Sequence, residues 1–206
     1  MGRLWIIGAG GHGCVLAELA HRMGAWNSIA FLDDYREQPA LDLGFEITGD
    51  SGTLQSRSRS EDSFLIGLGE NRRRLELFRC MRSVCSPTTL VAPEACVAPS
   101  CTIESGSVVM PGAILQAGVR IGEGCILNSG CVIEHGVTLG DGVHVAPGAS
   151  IGGDATIGDC SWIGIGASVV HGVTISNDIV VGAGGVVAES LVQSGTYAGV
   201  PVRRLN

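Results

Sequence analysis

From Val91 onward the sequence is ruled by a period of six. Cut into hexads it reads VAPEAC, VAPSCT, IESGSV, VMPGAI, LQAGVR, IGEGCI, LNSGCV, IEHGVT, LGDGVH, VAPGAS, IGGDAT, IGDCSW, IGIGAS, VVHGVT, ISNDIV, VGAGGV and VAESLV. All 17 units, without an insertion, begin with Val, Ile or Leu. A short fixed repeat marks a solenoid, in which a unit too small to bury its own apolar face buries it against its neighbours. The fifth position is mostly small or β-branched (Ala95, Cys101, Ser107, Ala113, Val119, Cys125, Cys131), so three of the cysteines read as core filler. An ordinary β sandwich would instead alternate at period two, with turns every eight to twelve residues or so.

Such a run resembles the hexapeptide-repeat acyltransferases, and the resemblance covers about half the chain. It implies a left-handed parallel β-helix of triangular cross-section, three hexads to a coil. Left-handed crossovers run against the usual handedness rule, so the hand is implied by the resemblance and not by the period. With 18 residues to a coil, residues 18 apart lie one above the other at about 4.8 Å, the ordinary strand spacing. His135 then has Ala117 below it and Gly153 above it. An imidazole beside a residue without a side chain leaves room for a carbonyl, and the glycine N–H can donate to a developing oxyanion. Glu134, on the same turn, is placed to hold the imidazole in the tautomer that leaves one nitrogen free as a base. His144 is half a coil away, on another face, so a neighbouring chain is expected to complete the site. His171, two coils above His135, reads as a structural or solvated residue. The two would be about 9.6 Å apart, too far to share a zinc ion with bonds of about 2.0 Å, and no metal is expected.

Before about residue 86 the text is different. "RLWIIG" (3–8) reads as a buried strand, "GHGCVLAELAHRMG" (11–24) as a helix ended by Gly24, and "SIAFLDD" (28–34) as a second strand. "SFLIGLG" (63–69) and "ENRRRLELFRCMRS" (70–83) add a strand and a helix. The expected organisation is a small Rossmann-like parallel α/β domain over 1–85 that binds a sugar nucleotide, then an acyltransferase β-helix with a tail over 86–206. Residues 36–62 are polar and poorly patterned. In "IIGAGGHG", Gly8, Gly10 and Gly13 have the G-x-G-x-x-G spacing between strand and helix, and Asp33 and Asp34 end the next strand. The physical content is a tight turn, close backbone approach and helix N-terminal amides for a diphosphate, with an acidic residue for a ribose hydroxyl. NAD satisfies this; so does a sugar nucleotide, which the small size of the domain and the acyltransferase half favour.

Composition narrows the classes. With 32 Gly, 45% hydrophobic residues and 4% aromatics, the interior is filled by aliphatic and small side chains. A formal charge of −7 and 13 basic residues, all Arg, give no basic stripe for nucleic acid. The apolar opening breaks at glycine within eight residues, too short for a signal core or a membrane span, so a cytoplasmic protein is expected. In that compartment the eight Cys, with no C-x-x-C pair, are expected as free thiols.

The joint pattern of "IIGAGGHG", "FLDD", "LN", "VIEH" and a tail "GVPVRRL" is similar to the bacterial sugar acetyltransferases that include UDP-4-amino-sugar N-acetyltransferases and sialic acid O-acetyltransferases of surface glycan biosynthesis. That similarity implies a homotrimer with acetyl-coenzyme A lying between neighbouring β-helices and a UDP-linked sugar on the first domain. Carried over by position, His135 is the general base, Glu134 its orienting partner, Asn128 a polar support and His144 a second active-site histidine. Gly153 donates to the thioester carbonyl, and Ile165, Gly182 and Ala183 line the coenzyme channel. Gly8, Gly10, Gly11, His12, Gly13, Asp33 and Asp34 meet the sugar nucleotide. Direct attack on acetyl-coenzyme A needs no acyl-enzyme, and the cysteines offer no nucleophile–base pair. Nitrogen and oxygen as acceptor both stay open, as does a non-catalytic nucleotide-binding trimer.

Overall fold

The computed structural model describes residues 2–205. The chain forms two compact units that divide between Leu90 and Val91.

The first unit is a four-stranded, all-parallel sheet with helices between its strands. β1 (Arg3–Ile7) is central, with β2 (Ser28–Leu32) on one side and β3 (Ser63–Ile66) then β4 (Ser86–Pro87) on the other. Leu4, Trp5, Ile6 and Ile7 are all buried, the continuous apolar run expected of a strand covered on both faces. α1 (Gly11–Met23) presents Leu16, Ala17, Leu19 and Ala20 to the core. It ends where Gly24 turns left-handed (φ 64°) and donates to Ala20 O and His21 O, the glycine stop read from the sequence. α3 (Asn71–Met81) starts where the Glu70 side chain accepts from the amides of Arg72 and Arg73. The unpatterned 36–62 stretch hides a short helix, α2 (Thr53–Arg57), anchored by Leu54, and a bridge from Ile47 to Phe31.

The second unit is a parallel β-helix of about six coils. Two-residue strands pair strictly i to i+18: Ile114–Leu115 with Val132–Ile133, then Ser150–Ile151, Ser168–Val169 and Val186–Val187 make one face. A second face runs from Thr102–Ile103 to Thr174–Ile175, and a third from Leu90–Val91 to Ile179–Val181, extended by Gly195–Gly199 and the antiparallel tail strand Val202–Arg204. Every leading aliphatic of a hexad from Val109 to Val187 is buried, whereas Val91, Val97 and Ile103 of the first coil are half-buried. Cys125 and Cys131 are fully buried fillers, and burial pushes the Cys131 thiol up to about 12. Fourth-position residues turn the corners with φ near +60° to +75°, which is why glycine fills most of them. Among the described residues no helix is long and apolar enough to cross a membrane.

Candidate active site

His135 stands on the corner after the strand Val132–Ile133 and is exposed. Its ring occupies the space where Gly153 would carry a side chain: a Cβ there would come within 2.6 Å of Cε1 and 2.7 Å of Nε2. Any other residue at 153 displaces the imidazole. The Gly153 N–H makes no hydrogen bond within the chain among the described residues, while its neighbours are tied down, Gly152 N–H to Val169 O and Asp154 N–H to His135 O. One corner thus combines an accessible imidazole with an unused backbone donor.

The expected contact from Glu134 to this imidazole is not made within the chain. The Glu134 amide pairs with Ile151 O, and its carboxylate has no partner among the described residues. The carboxylate facing His135 is that of Asp154, its Oδ1 3.8 Å from Nδ1. Asp154 escaped the sequence reading, although "IGGDAT" puts it where most hexads carry glycine, and that departure was its signal.

Asn128, expected as a polar support, lies against the second histidine. Its Oδ1 accepts from the Ser129 amide at 2.8 Å, so its Nδ2 is the donor 3.2 Å from His144 Nε2. For this contact to be a hydrogen bond, His144 Nε2 is the acceptor, and Asn128 supports this histidine. His144 lies in register between Ile126 and Trp162, 7% exposed, its ring stacked on Trp162 at 4.9 Å. The strand ladder puts it on a different face from His135, because the two lie half a coil apart. Ile165, 62% exposed, is stacked beneath the Gly182–Ala183–Gly184 turn, with the Gly184 amide donating to Ile165 O at 2.8 Å. That corner is not the corner of His135 and Gly153, so one chain divides the expected coenzyme contacts between two edges. Among the described residues, no three His, Cys, Asp or Glu side chains are grouped to hold a metal ion.

In the first unit the glycine loop follows β1 where the chain switches from β2 to β3, the place such sheets open a crevice. Gly8 (φ 104°) makes the turn, and a Cβ on Gly13 would overlap the Gly8 carbonyl, so both must be glycine. Around Gly10 and Gly11 the space is open. A cavity of about 190 Å³ lies here, lined by Gly8, Gly10, Asp33, Asp34, Tyr35 and Arg73 among others. Asp33 is occupied in bracing the loop: Oδ2 accepts from the Ala9 amide at 2.8 Å, Oδ1 from the amides of Tyr35 (2.9 Å) and Arg36 (3.0 Å). Partial burial raises its pKa, but those amides and the Arg36 cation outweigh burial and hold the carboxyl below its usual value. Asp34 accepts from the Ser51 amide at 2.8 Å. His12, on the first turn of α1, is half-buried and its Nε2 has no partner among the described residues. Burial first, and the Arg74 guanidinium second, push its pKa down to about 4. The larger cleft of about 620 Å³ opens at the other end of the sheet, by Arg3, Arg57 and Arg59, and contains none of the expected residues.

The family model for the PglD N-terminal domain matches residues 3–81, and that for the bacterial transferase hexapeptide (six repeats) matches residues 100–135 and 118–153. No curated protein sequence matches the chain. Among solved structures, the acetyltransferase domain of PglB from Neisseria gonorrhoeae is 35% identical with a TM-score of 0.95, each chain being covered in full. The same domain in complex with acetyl coenzyme A is 37% identical with a TM-score of 0.94, over 98% of each chain. PerB from Caulobacter crescentus, in complex with CoA and GDP-perosamine, is 34% identical with a TM-score of 0.93, over 100% of this chain and 98% of its own. The chain belongs to the hexapeptide-repeat sugar acetyltransferases that open with a PglD N-terminal domain, a small parallel α/β unit followed by a left-handed β-helix.

Proposed function

We propose that the protein is a homotrimeric, acetyl-coenzyme A-dependent N-acetyltransferase acting on a nucleotide-linked amino sugar, with a UDP-4-amino-4,6-dideoxy sugar as the leading substrate class. The observation that carries the reading is the shared corner of His135 and Gly153, an accessible imidazole beside an unused backbone N–H. Likeness to structures described with acetyl coenzyme A and with CoA and GDP-perosamine supports the two substrates.

The sugar amine, already in its neutral form, attacks the thioester carbonyl. A C–N bond forms, the Gly153 N–H donates to the developing oxyanion, and His135 Nε2 takes the proton that the nitrogen sheds. The C–S bond then breaks and the proton passes to the departing thiolate, so the products are the amide and the free thiol. The cysteines are not needed: Cys125 and Cys131 are sealed in the core. Because Gly153 and the Ile165–Ala183 edge occupy different corners of one chain, a coenzyme that touches both lies between neighbouring chains of the trimer. Gly8, Gly10, Gly11 and Gly13 hold the diphosphate, His12 faces it as a neutral imidazole, and Asp34, with one oxygen uncommitted, reaches the ribose.

The test is thiol release from acetyl-coenzyme A across UDP- and GDP-linked 4-amino sugars, their 4-hydroxy counterparts and free sialic acid. Release is expected with amino-sugar nucleotides alone. Release with the hydroxy sugars or sialic acid and none with the amines would replace nitrogen by oxygen as the acceptor.

A further inference from the structure

Between Gly106 and Gly184 the fourth hexad position is left-handed, and the described non-glycine residues there are Asp154, Cys160 and Asp178, with φ of 60°, 56° and 58°. Glycine adopts that conformation freely; a residue with a Cβ does not, and such a residue at a reactive corner calls for a reason. Asp154 meets His135 at two points. Its amide donates to His135 O at 2.8 Å, and its carboxylate folds back over Gly136, where a Cβ would overlap Oδ1, to stand 3.8 Å from His135 Nδ1.

We propose that Asp154 is the positioning residue for His135, accepting the Nδ1 proton so that Nε2 is the basic nitrogen, the task the sequence assigned to Glu134. This rests on His135 being the base. At 3.8 Å the carboxylate faces Nδ1 but lies beyond hydrogen-bond distance in the resting chain, and a small rotation of the carboxylate closes it to a hydrogen bond. Resting geometry at such sites is commonly loose. Gly136 provides the room: any side chain there would push the carboxylate away. The titratable groups at this corner are Asp154 and Glu134, with His171 in the same column two coils on.

Asp154→Gly separates a positioning role from a structural one, because glycine fits the left-handed corner better than aspartate. D154G should melt no lower than the parent protein, yet lose about tenfold or more in kcat, the scale seen when a carboxylate that orients a metal-bound histidine is removed, with KM for both substrates within about twofold. D154N, which can accept from Nδ1 without the charge, should fall between, and E134Q should change kcat less than D154G. On a His135→Ala background, D154G should have no further effect. A D154G protein with parental kcat, while H135A is impaired, would overturn the proposal and leave the His135 reading intact. Loss of activity that merely follows loss of folded protein would also overturn it. Full activity of H135A would remove both readings together.

Discussion

The chemistry of this chain turns on single residues whose neighbours are small. His135 depends on glycine at 153 for its position, and Gly153 keeps an amide free because corner residues at the third hexad position point away from the ladder. If that imidazole is the base, His135→Ala should lower kcat by about 10²- to 10⁴-fold with little change in substrate affinity. Steady-state kinetics on a protein shown to be folded checks this. Gly153→Ala should be nearly as damaging, because its methyl group would occupy the place of the ring. In the first unit, His12 makes a second prediction. Its folded pKa of about 4 lies below the ordinary histidine value of 6.5, so the unfolded chain binds the extra proton first as pH falls. The stability that the neutral ring contributes is present above pH 6.5 and is lost as pH falls from 6.5 to 4, amounting to about 3 kcal/mol at most. Asp33 and Asp62, whose carboxyls are held below the usual value, act in a lower window, under pH 3.8. Denaturant unfolding at pH 7 and pH 4.5 should therefore show a smaller pH difference for His12→Asn than for the parent.

At the scale of elements, the coils are held by columns that repeat every 18 residues. Inside run the leading aliphatics, such as Leu115, Ile133, Ile151 and Val169. Outside, one corner carries a side-chain ladder: Asp141 Oδ1 accepts from the Glu123 amide, Asp159 Oδ1 from the Asp141 amide, and Asn177 Oδ1 from the Asp159 amide, at 2.8–2.9 Å. Each rung takes up an amide that the corner leaves outside the strands. Gly122, Gly140 and Gly158 lie under these rungs with no room for a Cβ. Buried Ser107 and Ser161 do similar work within the wall, each accepting from an amide 18 residues on and donating to a carbonyl 15 residues on. Ile151→Ala should cost about 2–5 kcal/mol, because a rigid column cannot collapse onto the space. Asp159→Ala should cost only about 1 kcal/mol, the worth of one partly solvated hydrogen bond. Thermal melts of the two variants should differ accordingly.

For the whole molecule the prediction concerns assembly and the division of labour. If active sites form between chains, light scattering should return three times the chain mass, and a stable, fully active monomer would contradict it. Gly10→Trp should raise KM for the sugar nucleotide and leave that for acetyl-coenzyme A nearly unchanged, because the space above Gly10 is open and the bulky ring blocks only the approach of the diphosphate. The sequence by itself determined the six-residue repeat and the strand–glycine loop–helix opening, because strict periods and local backbone demands leave their mark residue by residue; the resemblance it carries added three hexads to a coil, and with them the stacking of Gly153 on His135. It did not determine partners reached by side chains across the coils. Asn128 meets His144, 16 residues on, and Asp154 faces His135 in place of the adjacent Glu134. Asp33, which reads as a ribose ligand, is taken up by three backbone amides. Such choices depend on which way a side chain leaves its corner and which donors the fold brings to it, and only the tertiary structure sets those directions.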